Sequence, residues 1–159
     1  MNYFITFRTY GTWLHGDERG AVDQRHNQVG EPLLESHAGL RRYRRARLQS
    51  EPALLDEKCR ACVETTIHEV ADHRDWSVLA LHVLVNHVHV VITTPDDVPP
   101  KKALNDFKSW ATRRLREQEL VPQGVRIWAE HGSTRYLNTA ESVHAACHYV
   151  THCQGNEPA

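Results

Sequence analysis

The stretch WSVLALHVLVNHVHVVITT, from Trp76 to Thr94, is dense in Val, Leu and Ile. Residues of these types are enriched in strands, and an apolar run of this kind is typical of strands buried in a sheet. Asn86 interrupts the run with a residue that readily adopts turn conformations. We therefore predict two consecutive strands, the first ending before Asn86 and the second starting after it.

The second of these strands contains the triplet His87-Val88-His89. Side chains alternate across a strand, so the two imidazoles share one face and can converge on one ion. Val88, Val90 and Ile92 fall on the opposite face, which we expect to be core. An alternative without a metal stays open. In it, two of the twelve histidines are close by chance, and each makes a hydrogen bond at the sheet surface.

The elements around this pair follow the order βαββαβ with one helix added at the end. The predicted elements are a first strand over Tyr3 to Leu14, a helix over Ala53 to Asp75, a helix over residues 101–120 after Pro99 and Pro100, a strand over Val125 to Ala129, and a last helix capped by Asn138 or Thr139 and running to about Cys153. This order predicts an α+β, ferredoxin-like antiparallel sheet with an extra C-terminal helix.

The length of 159 residues suits one domain with one core. We predict a single domain over residues 1–159, with a long insertion at about residues 15–52 that is rich in glycine and charge. The formal net charge is −1, so the field of the whole protein gives no support to nucleic-acid binding. Any contact with nucleic acid must rest on local clusters of charge.

Two such clusters are present, and both are basic. One lies on the second helix and comprises Lys101, Lys102, Lys108, Arg113, Arg114 and Arg116; the other lies in the insertion and comprises Arg41, Arg42, Arg44, Arg45 and Arg47. Charge runs of this kind are usually solvated faces, although arginine and lysine also bind the phosphates of nucleic acids. The two clusters are therefore candidate DNA-binding groups.

The sequence also predicts the cellular compartment and, with it, the redox state of the cysteines. No apolar run approaches the roughly 18 residues that span a bilayer, and the first ten residues lack the pattern of a signal peptide, so we expect a cytoplasmic protein without a membrane partner. The four cysteines, Cys59, Cys62, Cys147 and Cys153, fit that compartment as reduced thiols. A structural zinc site made from them, with His152 as a further ligand, is an alternative to be tested.

The C-terminal segment SVHAACHYVTHCQG contains Tyr149 in a helical pattern beside Ala145, Ala146 and Val150. A tyrosine with such neighbours is most often a packing residue with its hydroxyl at the rim. Tyr136 is the other tyrosine in this third of the chain, and we expect it to be structural. Neither residue points to a function by itself.

The combination of VNHVHVVI in a strand, FKSWATRRL in the next helix, IWAEHGSTRYL, and HYVTHCQ in a closing helix resembles the REP-associated tyrosine transposases and their insertion-sequence relatives, which are HUH-type endonucleases. The resemblance implies a ferredoxin-like fold in which His87 and His89 bind Mg²⁺ or Mn²⁺. It also implies that Tyr149 attacks single-stranded or hairpin DNA and forms a 5′-phosphotyrosine link. The implied activity is DNA nicking and strand transfer.

One position departs from the family pattern, which places an Asn or Gln as a third metal ligand four residues after the tyrosine. Cys153 stands there, between His152 and Gln154. Helix geometry favours His152 or Cys153, whereas the preference of Mg²⁺ for oxygen favours Gln154, which we take as the expected ligand. The departure also leaves a non-cleaving DNA-binding protein as an alternative. Relatives include both monomers and dimers, so a homodimer stays open.

Overall fold

The computed structural model describes residues 1–11 and 53–152 of the chain. These residues form four strands and three helices in the predicted order. The strands are β1 (Asn2–Thr9), β2 (Ser77–Val83), β3 (His87–Thr93) and β4 (Trp128–Tyr136). The helices are α1 (Glu57–Arg74), α2 (Pro100–Glu117) and α3 (Ala140–His152). None of the helices in this part of the chain has the length and apolar character needed to cross a membrane.

The four strands form one antiparallel sheet in the order β2-β3-β1-β4. The central pair is β1 and β3, whose register aligns Ile5 with Val90 and Thr6 with His89. With α1 and α2 as the two crossover helices, this is the ferredoxin-like arrangement, and the prediction of the fold class is confirmed.

The helices begin and end where local chemistry favours it. At the start of α1 the Asp56 carboxylate accepts a hydrogen bond from the backbone N–H of Cys59, and at its end Asp75 takes the left-handed conformation. Helix α2 starts at Pro100, a residue preorganised for the first helical position. At the start of α3 the Thr139 hydroxyl accepts from the N–H of Ser142, which confirms Thr139 as the predicted cap.

The sheet separates two layers of unequal size. On one side, which we call the α1/α2 face, inward-pointing residues of the sheet pack against α1 and α2 in the main core: Tyr3, Ile5, Phe7, Val88, Val90 and Ile92. On the other side, the α3 face, helix α3 packs over β2 and β3. The smaller cluster there contains Ala80, Val91, Leu137, Ala146 and Val150. The expectation that Val88, Val90 and Ile92 form core is therefore met.

The predicted fourth strand was misplaced. The strand is not Val125 to Ala129 but begins at Trp128 and extends to Tyr136, because β4 is an edge strand whose residues from Glu130 to Tyr136 are exposed and polar enough to hide the strand pattern. Gly132 is required where β4 passes α2, since a Cβ there would lie 2.8 Å from the Thr6 carbonyl oxygen and 3.0 Å from Leu104.

The first strand ends earlier than predicted. It stops at Thr9 instead of Leu14, because the chain turns at Tyr10 and Gly11, and Gly11 has a positive φ of 78°. The predicted insertion at residues 15–52, with Arg41, Arg42, Arg44, Arg45 and Arg47, lies outside the described residues.

Candidate functional site

His87 and His89 lie on the α3 face of β3. Their ring centroids are 4.7 Å apart and the rings are nearly perpendicular. His89 is buried, with 7% of its surface exposed, whereas His87 is partly exposed. The alternation of a strand therefore brings the two imidazoles together, as the sequence predicts.

Each imidazole is oriented by a hydrogen bond at its Nδ1 atom. The Nδ1 of His89 lies 2.7 Å from the Thr6 hydroxyl, and the Nδ1 of His87 lies 2.6 Å from Oδ1 of Asn86. An amide oxygen only accepts, so Nδ1 of His87 is the donor and its Nε2 carries the lone pair. The Thr6 hydroxyl can accept in the same way from His89. Orienting contacts of this kind are what metal-ligating histidines have in proteins.

Tyr149 projects from α3 onto the same part of the sheet. Its ring meets His89 edge to face, with centroids 5.8 Å apart, and meets Phe4 in the same manner at 6.1 Å. Phe4 in turn stacks on His89 with centroids 5.6 Å apart. The tyrosine remains 45% exposed, so its hydroxyl is accessible to a ligand on the surface. A continuous series of ring contacts thus joins the helix tyrosine to the histidine pair.

Helix α3 is held in this position by a short apolar stripe. Ala146 and Val150 are buried against Ala80, Val91 and Leu137. Tyr149 directly precedes Val150, and a step of one residue turns the side chain by about 100° around the helix, out of the buried stripe. The packing of α3 therefore determines where the tyrosine stands relative to the histidines.

Of the three residues considered as a third ligand, His152, Cys153 and Gln154, the structure describes only His152. His152, the last residue of α3, stacks on His148 with centroids 4.7 Å apart, and its Nδ1 lies 2.6 Å from the Thr151 hydroxyl. Cys153 and Gln154 lie outside the described residues. Over residues 1–11 and 53–152, no group of three or more His, Cys, Asp or Glu is arranged to hold a metal. In this part of the chain, His87 and His89 therefore form a pair without a third His, Cys, Asp or Glu beside them.

The predicted basic helix lies on the other side of the sheet from this site. Several of its cations already have partners. Lys102 pairs with Asp106, and Arg114 pairs with Glu69 and Glu117. The other two donate to backbone carbonyl oxygens, Lys108 to those of Ala129, Glu130 and His131, and Arg116 to that of Val125. Arg113 lies over the ring of Trp110. Lys101 borders a groove between α2 and β4. A ligand on the α3 face would therefore have to pass an edge of the sheet to contact α2.

Sequence reasoning missed the residues that surround the histidines. Thr6 and Phe4 belong to β1, and Arg135 belongs to β4, with its guanidinium carbon 5.4 Å from the centroid of the Phe4 ring. Their roles depend on strand register across more than 80 residues of chain, which no local pattern reveals. Asn86 was identified only as a turn residue, although its place directly before the histidine pair was a usable signal.

The zinc alternative does not fit the arrangement of the cysteines. Cys59 and Cys62 are buried in the main core, whereas Cys147 packs in the small cluster on the opposite side of the sheet. Burial raises the pKa of the Cys59 thiol to about 11 and also raises that of Cys62. Three thiols separated by a sheet cannot share one ion, and buried protonated thiols behave as packing groups. Cys153 lies outside the described residues.

A ferredoxin-like sheet with a histidine pair beneath a helix tyrosine is the arrangement that the resemblance to tyrosine transposases implies. The chain belongs to that class: it matches the family described as Transposase IS200 like over residues 41–152, which is most of its length, and is a member of this family. The resemblance is thereby confirmed. None of the curated protein sequences compared with the chain matches it significantly.

Two solved structures are similar in fold. One is a REP-associated tyrosine transposase bound to a REP hairpin, with a TM-score of 0.50 and 13% sequence identity; the match covers 94% of this chain and 63% of that one. The other is a crystal structure of a protein of Deinococcus radiodurans R1 assigned as a transposase, with a TM-score of 0.53 and 13% identity, covering 91% of this chain and 83% of that one. The chain thus spans less than two thirds of the length of the hairpin-bound transposase.

Proposed function

We propose that the protein is a metal-dependent single-strand DNA endonuclease and strand transferase that acts on hairpin-bearing DNA through a 5′-phosphotyrosine intermediate. The observation that carries the proposal is the position of Tyr149, whose ring lies against His89 of the oriented histidine pair. Membership of the transposase family supports an enzyme that acts on DNA. The hairpin bound to the structurally similar transposase supports the choice of substrate.

The histidine pair fits a divalent ion. Thr6 and Asn86 occupy the Nδ1 atoms, so the Nε2 atoms are the ones that would ligate Mg²⁺ or Mn²⁺. Imidazole suits Mn²⁺ better than Mg²⁺, which prefers oxygen. Gln154 is the proposed third ligand, with His152 and Cys153 as its alternatives. When bound, such an ion would supply positive charge to a phosphate oxygen as a Lewis acid.

The proposed reaction is an in-line transesterification. The phenolic oxygen of Tyr149 attacks a backbone phosphorus atom, a new P–O bond forms, and the bond from phosphorus to the 3′ oxygen breaks. The phenolic proton leaves to solvent, to which the half-exposed ring has access, and the departing 3′ oxygen takes up a proton to become a hydroxyl. The phosphodiester energy is retained, so attack by a 3′ hydroxyl on the phosphotyrosine reverses the step without ATP.

The site is assembled within one chain. Tyr149 and His89 are in contact within the same subunit, so both groups are proposed to act from one chain. A homodimer belongs to the proposal only as a way to join two DNA ends. DNA binding by Lys101, Arg113 and the arginines of the insertion is proposed as well. Contact with Lys101 and Arg113 requires the strand to extend beyond the α3 face.

The decisive experiment is adduct formation on a labelled single-stranded oligonucleotide that contains a hairpin, with Mn²⁺ or Mg²⁺. We expect a denaturation-resistant protein–DNA adduct and a free 3′-hydroxyl product with the wild-type chain. Tyr149→Phe should form no adduct while still binding the oligonucleotide. The matched control is Tyr136→Phe, because Tyr136 is similarly exposed but lies on the opposite side of the sheet; it should retain adduct formation.

Chelation of the metal and His87→Ala should each abolish the adduct without preventing folding. Binding without cleavage across a series of hairpins and both metals would overturn the nuclease proposal. That outcome would instead favour the second candidate, a DNA-binding protein that does not cut. Its basis is that no third His, Cys, Asp or Glu completes a metal site with the histidine pair within residues 1–11 and 53–152.

A further inference from the structure

We propose that Arg135 binds a backbone phosphate of the DNA strand at the cleavage site, with Phe4 holding its guanidinium in place. The identity of the ligand as DNA rests on the proposed function. The assignment of Arg135 itself rests on sheet register, on its contact with Phe4, and on the absence of a competing partner for its charge within residues 1–11 and 53–152.

Register puts Arg135 on the same face as the histidines. It is paired directly with Phe4 in the β1–β4 ladder, and Phe4 points to the α3 face because its neighbours Tyr3 and Ile5 are buried in the main core. The same Phe4 ring contacts His89 and Tyr149. One aromatic ring therefore connects the arginine to both candidate catalytic groups.

In the described part of the chain, no helix covers the α3 face of the half of the sheet that carries Arg135. Helix α3 covers β2 and β3, whereas the side chains of β4 from Glu130 to Tyr136 are exposed. A strand leaving Tyr149 toward this edge would cross Phe4 and Arg135. Arg8 points to the same face beside His87 in the β1–β3 register.

Within residues 1–11 and 53–152, Arg135 has no hydrogen bond or ion pair, and its guanidinium lies over the Phe4 ring. In contrast, Lys102, Lys108 and Arg114 are engaged by carboxylates or carbonyl oxygens. A guanidinium held over an aromatic ring loses little freedom on binding, and its N–H groups match two phosphate oxygens at once. Those donors are available for a phosphate without breaking an existing pair.

The test measures binding in the Tyr149→Phe background, where no cleavage confuses the equilibrium. Arg135→Gln should lower the dependence of log K on log salt by about 0.7, the value for one phosphate contact on a single strand. Arg135→Lys should keep most of the slope with weaker binding, because it keeps charge but not the planar fork. The matched control is Arg74→Gln, which removes a charge that pairs with Asp106.

A scan with single methylphosphonate linkages, each of which removes one phosphate charge, identifies the phosphate. A methylphosphonate at one position should weaken binding to the chain that keeps Arg135 and should have no effect on binding to Arg135→Gln. An unchanged salt slope in a folded Arg135→Gln chain, or equal effects of every linkage in both chains, would overturn the assignment. Thermal unfolding of each variant distinguishes a local loss from misfolding, and Arg135→Lys provides the test if Arg135→Gln does not fold.

The two proposals fail separately. If the wild-type chain binds but never cleaves while the slope and linkage results hold, the nuclease proposal falls and the phosphate site stands. If the wild-type chain cleaves through Tyr149, but Arg135→Gln changes neither the salt slope nor the linkage scan, the phosphate site falls and the nuclease proposal stands.

Discussion

The two faces of the sheet differ in what their side chains do. On the α1/α2 face the sheet presents Ile5, Phe7, Val88, Val90 and Ile92, all with no exposed surface, to two long helices. On the α3 face the same strands present histidines, threonine and a half-covered phenylalanine to one shorter helix, and the buried cluster among the described residues there has five members. The strands are shared, yet their alternate residues serve stability on one side and the candidate chemistry on the other.

This division predicts how the molecule responds to change. Burial of apolar surface is the main source of stability, so the α1/α2 face should determine global unfolding. Helix α3 rests on fewer apolar contacts and should open locally at a lower free energy. Mutations on the two faces should therefore separate folding from activity.

The largest effect on stability is expected from Phe107→Ala. Phe107 has no exposed surface and contacts Trp76 with ring centroids 5.9 Å apart. Removing its ring leaves a cavity in the main core, and the free energy of unfolding should fall by about 3–5 kcal/mol. Chemical denaturation monitored by far-UV circular dichroism measures the change. A loss below about 1 kcal/mol would contradict the assignment of stability to this face.

Val150→Ala tests the other face. Val150 is fully buried between α3 and the sheet. Its truncation removes buried methyl groups and should lower the free energy for opening α3 by about 2 kcal/mol. Because the neighbouring residue is Tyr149, we expect adduct formation to fall even under conditions where the chain stays globally folded. Hydrogen exchange should show faster opening in α3 than in α1. Equal destabilisation of both helices would mean that the two layers unfold as one unit.

Thr6→Val sharpens the comparison at the boundary between folding and chemistry. The variant keeps the shape of Thr6 but removes the oxygen 2.7 Å from Nδ1 of His89. Loss of an orienting partner of a ligand typically weakens metal binding by about 10- to 100-fold. Calorimetric titration with Mn²⁺ measures this, with Thr6→Ser as the variant that restores the hydroxyl.

The control for that experiment is Thr93→Val, which removes a threonine hydroxyl on β3 whose hydrogen bond goes to Oδ1 of Asn2. Its Mn²⁺ affinity should equal that of the wild-type chain. If Thr6→Val and Thr93→Val bind Mn²⁺ alike, Thr6 does not orient the metal ligand.

The sequence predicted the parts of the fold that are encoded locally. Buried runs such as Val88 to Ile92 and the amphipathic pattern of α1 are visible in a single stretch, and the alternation of β3 was enough to place His87 beside His89. The strand β4 was misplaced because its residues from Glu130 to Tyr136 are exposed at an edge, where neither face needs to be apolar.

The rest of the site depends on contacts between distant segments. Thr6 meets His89 across 83 positions of sequence, and Arg135 meets Phe4 only because β4 returns to pair with β1. The position of Tyr149 required knowing that α3 packs on the face opposite α1 and α2. Patterns along one segment report which face of an element is buried, but not which other segment covers it.

The smallest effect is expected at the start of α3, where Thr139 and Ser142 cap each other: the Thr139 hydroxyl accepts from the N–H of Ser142, and the Ser142 hydroxyl accepts from the N–H of Thr139. Thr139→Ala should destabilise the helix by about 1 kcal/mol, the usual cost of losing such a cap.

This cost should be visible as faster hydrogen exchange in the first turn of α3, with a small fall in adduct formation and little change in the main core. Thr139→Ser retains the hydroxyl and should behave as the wild-type chain does. If Thr139→Ala left exchange in α3 unchanged but lowered adduct formation, the hydroxyl would act on the DNA itself, and the separation between structural and chemical groups on the α3 face would have to be redrawn.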